Sequence, residues 1–190
     1  MQSKKDILLR KVLHVGLLIP LGIFWYLLYA DLLAYIFLAG VVLIFFIYEF
    51  IRLDTHQTIV FDKLVKPQES ERTVDGLNLL LATFVVHSFA PLSIAIASML
   101  MAVIGDAVST IGGLYGTMKI QPGKNKSTWE GVISTILINF LIGIIFLDQS
   151  SIAFIMAILA TIIEIQVHKL DDNLVVPIAI AFIGLLLSYV

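Results

Sequence analysis

The chain has 190 residues, 59% of them apolar and only 14% charged, with a mean hydropathy of +1.01. Soluble domains carry about 45–50% apolar and about 25% charged residues, so a water-soluble domain is excluded at the outset. The absence of cysteine excludes a disulfide scaffold, an iron–sulfur centre and a thiolate zinc site. The length fits one domain, 1–190. The net charge of −2 says nothing as a total; its distribution along the chain says more.

A helix crosses a bilayer with about 20 mostly apolar residues, fewer where a neighbour covers its end. Seven stretches meet or approach this: 12–30, 32–50, 76–89, 91–113, 131–147, 151–167 and 175–190. The first follows Lys4, Lys5, Arg10 and Lys11 but lacks a small-x-small cleavage site, and is read as a retained helix. Between the second and third, 56–66 mixes apolar and charged residues before Pro67 and reads as an interfacial helix or a linker. The third is short, and only His87, Ser88 and Pro91 divide it from the fourth. If 76–104 were one bent element, the count would be six.

The connections alternate in character. Asp31, the turn 87–90 and the turn 148–150 are short and carry no Lys or Arg. All 12 Lys and Arg residues fall in the N-terminus, 51–75, 114–130 and 168–174. The positive-inside rule puts that set in the cytoplasm and the C-terminus outside. The expected fold is an all-α integral-membrane bundle of about seven transmembrane helices. Of the 14 acidic residues only Asp31 and Asp148 lie on the outer side, so chemistry belongs at the cytoplasmic face. A transporter would place ionisable groups at mid-membrane and show an inverted repeat.

Three constellations could carry chemistry. In Gly105-Asp106-Ala107-Val108-Ser109-Thr110, Asp106 lies about 22 Å along a helix counted from Pro91. An ionised carboxylate at such a depth costs about 2.5–3.5 kcal/mol on insertion scales, which a bound cation offsets. Gly112 and Gly116 read instead as a packing face. In 119–131, Ser127 and Glu130 form an S-x-x-E capping box. Lys119, Lys124 and Lys126 beside that helix start suit a phosphate anion or lipid headgroups.

The third constellation is Glu164, His168, Asp171, Asp172 and Asn173 before Pro177. Glu164, His168 and Asp171 share a face if the helix continues that far. Carboxylates so close together favour a hard cation such as Mg²⁺, which usually arrives with phosphates. Of the remaining polar residues, Glu49 and Arg52 at i, i+3 read as an ion pair, Asn139 as an interhelical contact and His87 as structural. No Walker loop or kinase signature is present.

In order, Arg10-Lys11-x-x-His14, Gly105-Asp106-Ala107 with Gly112 and Gly116, Lys126-Ser127-x-x-Glu130-Gly131, and Glu164 leading to Asp171-Asp172-Asn173-Leu174-x-x-Pro177 span nearly the whole chain. Together they resemble the dolichol kinase, phytol kinase and CTP-dependent diacylglycerol kinase family. The loop has one residue more than the Lys-Ser-x-Glu-Gly of many relatives. The resemblance implies a CTP-dependent phosphotransferase acting on a polyprenol-type lipid alcohol with a divalent cation, in the membrane and from its cytoplasmic face. It implies Asp106, Asp171 and Asp172 as metal ligands, with Glu164 in support and Asp106 also the first choice of general base. Lys124, Lys126, Ser127, Thr128, Glu130, Gly131, His14 and Asn173 would hold the nucleotide. Expected partners are the lipid alcohol and the nucleoside triphosphate, with no nucleic acid; a homodimer is compatible. A weaker likeness reaches phosphatidate cytidylyltransferases, which transfer CMP, and a lipid-binding protein without catalysis is the remaining alternative.

Overall fold

The computed structural model describes residues 8–9, 11–12, 15–16, 31–55, 75–120, 128–167 and 171–189. Among these, every regular element is a helix: α1 (Leu32–Thr55), α2 (Asp75–Phe89), α3 (Leu92–Tyr115), α4 (Trp129–Phe146), α5 (Ser150–Gln166) and α6 (Asp172–Leu187). Leu8, Leu9, Lys11, Val12, Val15 and Gly16 are also helical, and Val15 packs on the core. The remainder of the expected first span and the 56–66 segment lie outside the described residues.

Helix ends follow local chemistry. The Asp31 carboxylate accepts from the Leu33 amide at 2.8 Å and so caps α1. Pro91 has φ −54° and ψ 149° and stands as the N-cap of α3. Lacking an N–H, it cannot continue α2, so the single bent element does not form and two helices do. At the far end, α5 stops at Gln166, and Val167 is extended at φ −76°, ψ 104°. Asp171 then caps α6, accepting from the Asn173 amide at 3.0 Å. The expected face of Glu164, His168 and Asp171 is therefore not formed. The short polar side chain of Asp171 starts a new helix rather than prolonging the old one.

α3 is the axis of the bundle, packing on α2, α4, α5 and α6. Its buried face runs through small and flexible residues, Ala95, Ala97, Ser98, Met101, Ala102 and Gly105, which let neighbouring backbones come close. Gly112 meets the Gly131 backbone, Gly116 meets Thr128, and Gly143 of α4 meets Ala153 of α5. The glycine packing face read from the sequence is present. Phe140 and Phe154 add an edge-to-face contact at 5.6 Å across α4 and α5.

The burial pattern is turned outward. Leu33, Ile36, Phe37, Ile44 and Phe46 of α1 and Leu137, Leu141 and Ile145 of α4 are exposed, while Thr83, Ser98, Thr135, Asn139 and Thr161 are buried. Exposed apolar surface on this scale is costly in water and natural in lipid. Helices α1, α3 and α4 are long and apolar enough to cross a membrane, and α2, α5 and α6 are shorter apolar helices.

Short turns make α2/α3 and α4/α5 antiparallel. The Tyr35 hydroxyl donates to the His87 carbonyl at 2.7 Å, tying the start of α1 to the end of α2. The C-terminal ends of α3 and α5 and the N-terminal ends of α4 and α6 thus gather at the opposite end of the bundle. Asp106, Glu130, Glu164, Asp171 and Asp172 belong to that end.

Candidate functional site

Asp106, near the last third of α3, forms an ion pair with Lys11, 95 positions earlier in the chain. Both side chains are largely withdrawn from solvent, at 11% exposure for Lys11 and 16% for Asp106. One turn on, the Thr110 hydroxyl donates to the other Asp106 oxygen at 3.5 Å. Ser109, between them, lies close to the carboxylate of Glu164 on α5. Glu164 also lies within electrostatic range of Asp106, Asp172 and Lys11. Glu164 of α5 thus feels the charges of Asp106 on α3 and Asp172 on α6, while Lys11 pairs with Asp106.

Asp171 and Asp172 divide their work. Both accept from the Asn173 amide at 3.0 Å, and Asp172 also accepts from the Asn173 side-chain amide at 3.3 Å. Asp171 is the α6 cap, whereas Asp172 shares the charge environment of Glu164. Asn173 is buried beneath them. Pro177 has no N–H for the Asn173 carbonyl one turn back, which loosens the helix start where these groups meet.

The second expected constellation forms a corner between α3 and α4. Lys119 and Thr128 pair as an isolated antiparallel bridge, and the Trp129 amide donates to the Met118 carbonyl at 2.9 Å. Thr128 is the N-cap of α4: its hydroxyl accepts from the Gly131 amide at 3.2 Å and donates to the Gly112 carbonyl at 2.9 Å. The capping box assigned to Ser127 and Glu130 is thus displaced by one residue. Glu130 turns away from the α4 start. It accepts from the Thr117 amide at 2.8 Å, the Thr117 hydroxyl at 2.9 Å and the Met118 amide at 3.1 Å. Those amides follow the end of α3 and lack helical acceptors, which is why a nearby carboxylate is drawn to them.

Beside this corner lies an open groove of about 330 Å³, lined by Val108, Ile111 and Tyr115 of α3 and by Glu130 and Ser134 of α4. Val108 is two residues beyond Asp106, more than half a turn around the helix. The groove and the acidic cluster therefore flank α3 on different sides. Of the expected nucleotide-binding residues, Thr128, Glu130 and Gly131 meet in the corner and Asn173 lies with the acidic group. His14, Lys124, Lys126 and Ser127 lie outside the described residues, as does His168.

Two participants were not assigned roles from sequence. Lys11 read as part of a basic start and of the Arg10-Lys11-x-x-His14 motif, without a role of its own, and Ser109 only as part of the Asp106 motif; the spacing of Ser109 three residues after Asp106 is the signal that places both on one helix face. Among the described residues, no three His, Asp or Glu side chains converge as a ready metal-holding group. Asp106, Glu164 and Asp172 are hard oxygen donors. Mg²⁺ commonly takes one or two carboxylates and completes its shell with water and phosphate oxygens.

No family model, curated protein or solved structure matches the chain.

Proposed function

We propose that the chain is a multi-pass membrane phosphotransferase that moves the terminal phosphoryl group of a nucleoside triphosphate to the hydroxyl of a polyprenol-type lipid alcohol. What supports this reading is that Glu164 of α5 lies within electrostatic range of both Asp106 of α3 and Asp172 of α6, so that three helices each bring a carboxylate to one end of the bundle. CTP as the donor rests on the resemblance to the dolichol and phytol kinase family. Seven spans, a cytoplasmic N-terminus and a cytoplasmic active face rest on the sorting of all 12 basic residues to one set of connections.

Phosphoryl transfer asks chiefly for positioning and charge, not covalent chemistry from the protein. Asp106 and Asp172 would hold Mg²⁺, and Asp171 would keep α6 in place as its cap. The ion supplies neutralisation of the charge on the transferring phosphate. Glu164, close to the Ser109 hydroxyl, accepts the proton of the lipid hydroxyl as its oxygen bonds to phosphorus. The bond to the nucleoside diphosphate then breaks, and that product leaves with the electron pair. Lys124 and Lys126 would hold the remaining phosphates through charge, beside the positive dipole end of α4. This reading divides between Asp106 and Glu164 the ligand and base roles that the sequence reading gave to Asp106.

The test is transfer of label from γ-labelled CTP with Mg²⁺ to dolichol, phytol or diacylglycerol by the purified, lipid-embedded protein. Labelled lipid phosphate is expected. A CDP-lipid formed from phosphatidate and α-labelled CTP would establish cytidylyl transfer instead. No product from any acceptor, with no CTP binding, would leave a lipid-binding protein without catalysis.

A further inference from the structure

The groove between α3 and α4 ends in a charge. Glu130 and Tyr115 line it at the α3–α4 corner, and Val108, Ile111 and Ser134 line it further into the bundle. Ile111, Tyr115 and Ser134 are exposed, so the groove opens on the outward-turned apolar surface of the two helices. We propose that it seats one amine-headed phospholipid of the ethanolamine class, with the ammonium against Glu130 and Tyr115 and one hydrocarbon chain along Val108 and Ile111. The site is separate from the acidic cluster and does not depend on the phosphotransferase reading.

Charge selects the headgroup. The corner loads one oxygen of Glu130: Oε1 takes bonds of 2.8, 2.9 and 3.1 Å, whereas Oε2 only shares the Met118 amide at 3.2 Å. A carboxylate has about four acceptor positions, so Oε2 keeps room for an incoming N–H donor. No cationic side chain among the described residues pairs with Glu130. A negative charge beside apolar side chains and lipid is costly until a cation meets it. Tyr115 adds an aromatic ring at the same end, and an aromatic face attracts an ammonium. An anionic headgroup would instead be repelled by Glu130. The walls select the rest of the molecule. Val108 to Tyr115 covers about 10 Å of helix, and the groove holds about 330 Å³, enough for the upper part of one hydrocarbon chain. A small soluble amine would leave those apolar walls unfilled.

The probes are dioleoyl phosphatidylethanolamine and dioleoyl phosphatidylglycerol, offered to the delipidated full-length protein in detergent and read by native mass spectrometry. The wild type should retain one ethanolamine lipid about tenfold more tightly than the anionic one, as a hydrogen bond to a charged group allows; this comparison needs no variant to fold. Glu130→Gln keeps an oxygen for the Thr117 and Met118 amides and should bring the two lipids level. Ser134→Trp, at an exposed position, should fill the groove and displace the ethanolamine lipid with Glu130 intact. Equal retention of the two lipids by the wild type, or a preference that survives either substitution, would overturn the proposal. So would displacement of the bound lipid by an equal concentration of soluble phosphoethanolamine, which would make the occupant a free amine. Lipid phosphorylation without the headgroup preference leaves the phosphotransferase reading standing and removes this site. The preference without any phosphorylation does the reverse.

Discussion

Gly112 of α3 lies so close to Gly131 of α4 that a β-carbon on Gly112 would stand 2.8 Å from the Gly131 amide nitrogen and closer still to its α-carbon. The obstacle is backbone, which has no rotamer to yield. Gly112→Ala should therefore push α3 and α4 apart where Thr128 bonds the Gly112 carbonyl. Overpacking typically costs about 1–3 kcal/mol, and this site belongs at the upper end. Gly131→Ala meets its nearest atoms at 3.2 and 3.3 Å and should cost distinctly less. Thermal unfolding of both variants in one detergent checks the order; equal midpoints would contradict the crossing.

Asp106 and Glu164 should fail in different ways. Glu164→Gln removes the proposed proton acceptor but leaves Asp106, and removal of a general base commonly costs about 10²–10⁴-fold in rate. Divalent-ion binding should survive in it. Asp106→Asn should lose both transfer and ion binding. Ser109→Ala, which removes only a hydroxyl beside Glu164, should lower kcat by a smaller factor with KM for the nucleotide unchanged. Steady-state transfer assays with parallel Mn²⁺ titrations separate these outcomes. Full activity in Asp106→Asn would remove the acidic cluster from the reaction.

The helices were legible because lipid imposes one rule on every span: continuous apolar sequence broken only by turn residues. Expected spans such as 131–147 and 151–167 meet helices Trp129–Phe146 and Ser150–Gln166. The glycine face was legible for a related reason, since residues four apart must share a helix side. Partner choice was not. Glu130 has the right spacing for a capping box with Ser127, yet the amides of Thr117 and Met118 compete for its carboxylate and win. Nothing in local spacing signals that Lys11 reaches Asp106, because that pair depends on how distant helices pack. Asp171 misled for the opposite reason: a spacing of seven is meaningful only while a helix lasts, and α5 ends at Gln166.

The register of the α4 cap gives a direct test. Thr128→Val keeps the shape but loses both the bond from the Gly131 amide and the one to the Gly112 carbonyl. Loss of an N-cap costs about 0.5–2 kcal/mol, and the orphaned, buried carbonyl adds to it. Thr128→Ser should restore most of the loss, since its hydroxyl can serve both partners. Ser127→Ala should leave the unfolding midpoint in place. A larger effect at Ser127 than at Thr128 would return the cap to the register read from sequence.

Asn139 and Gly105 are coupled across the same two helices. The Asn139 side chain is fully buried, and neither of its polar atoms meets a hydrogen-bonding partner among the described residues. Its amide packs on Gly105, where an added β-carbon would lie 2.9 Å from Oδ1. Gly105→Ala alone must therefore displace the amide and should be destabilising. Asn139→Ala alone loses packing but also removes unpaired polar atoms from the interior, so its net cost should be under about 1 kcal/mol. In the double variant the alanine at 105 enters the space that Asn139 vacates, and stability should recover toward that of Asn139→Ala. Contacting pairs show interaction energies of about 0.5–3 kcal/mol in such cycles. Thermal or denaturant unfolding of the four proteins measures the coupling. Strictly additive costs would mean that the amide and the glycine do not share this contact.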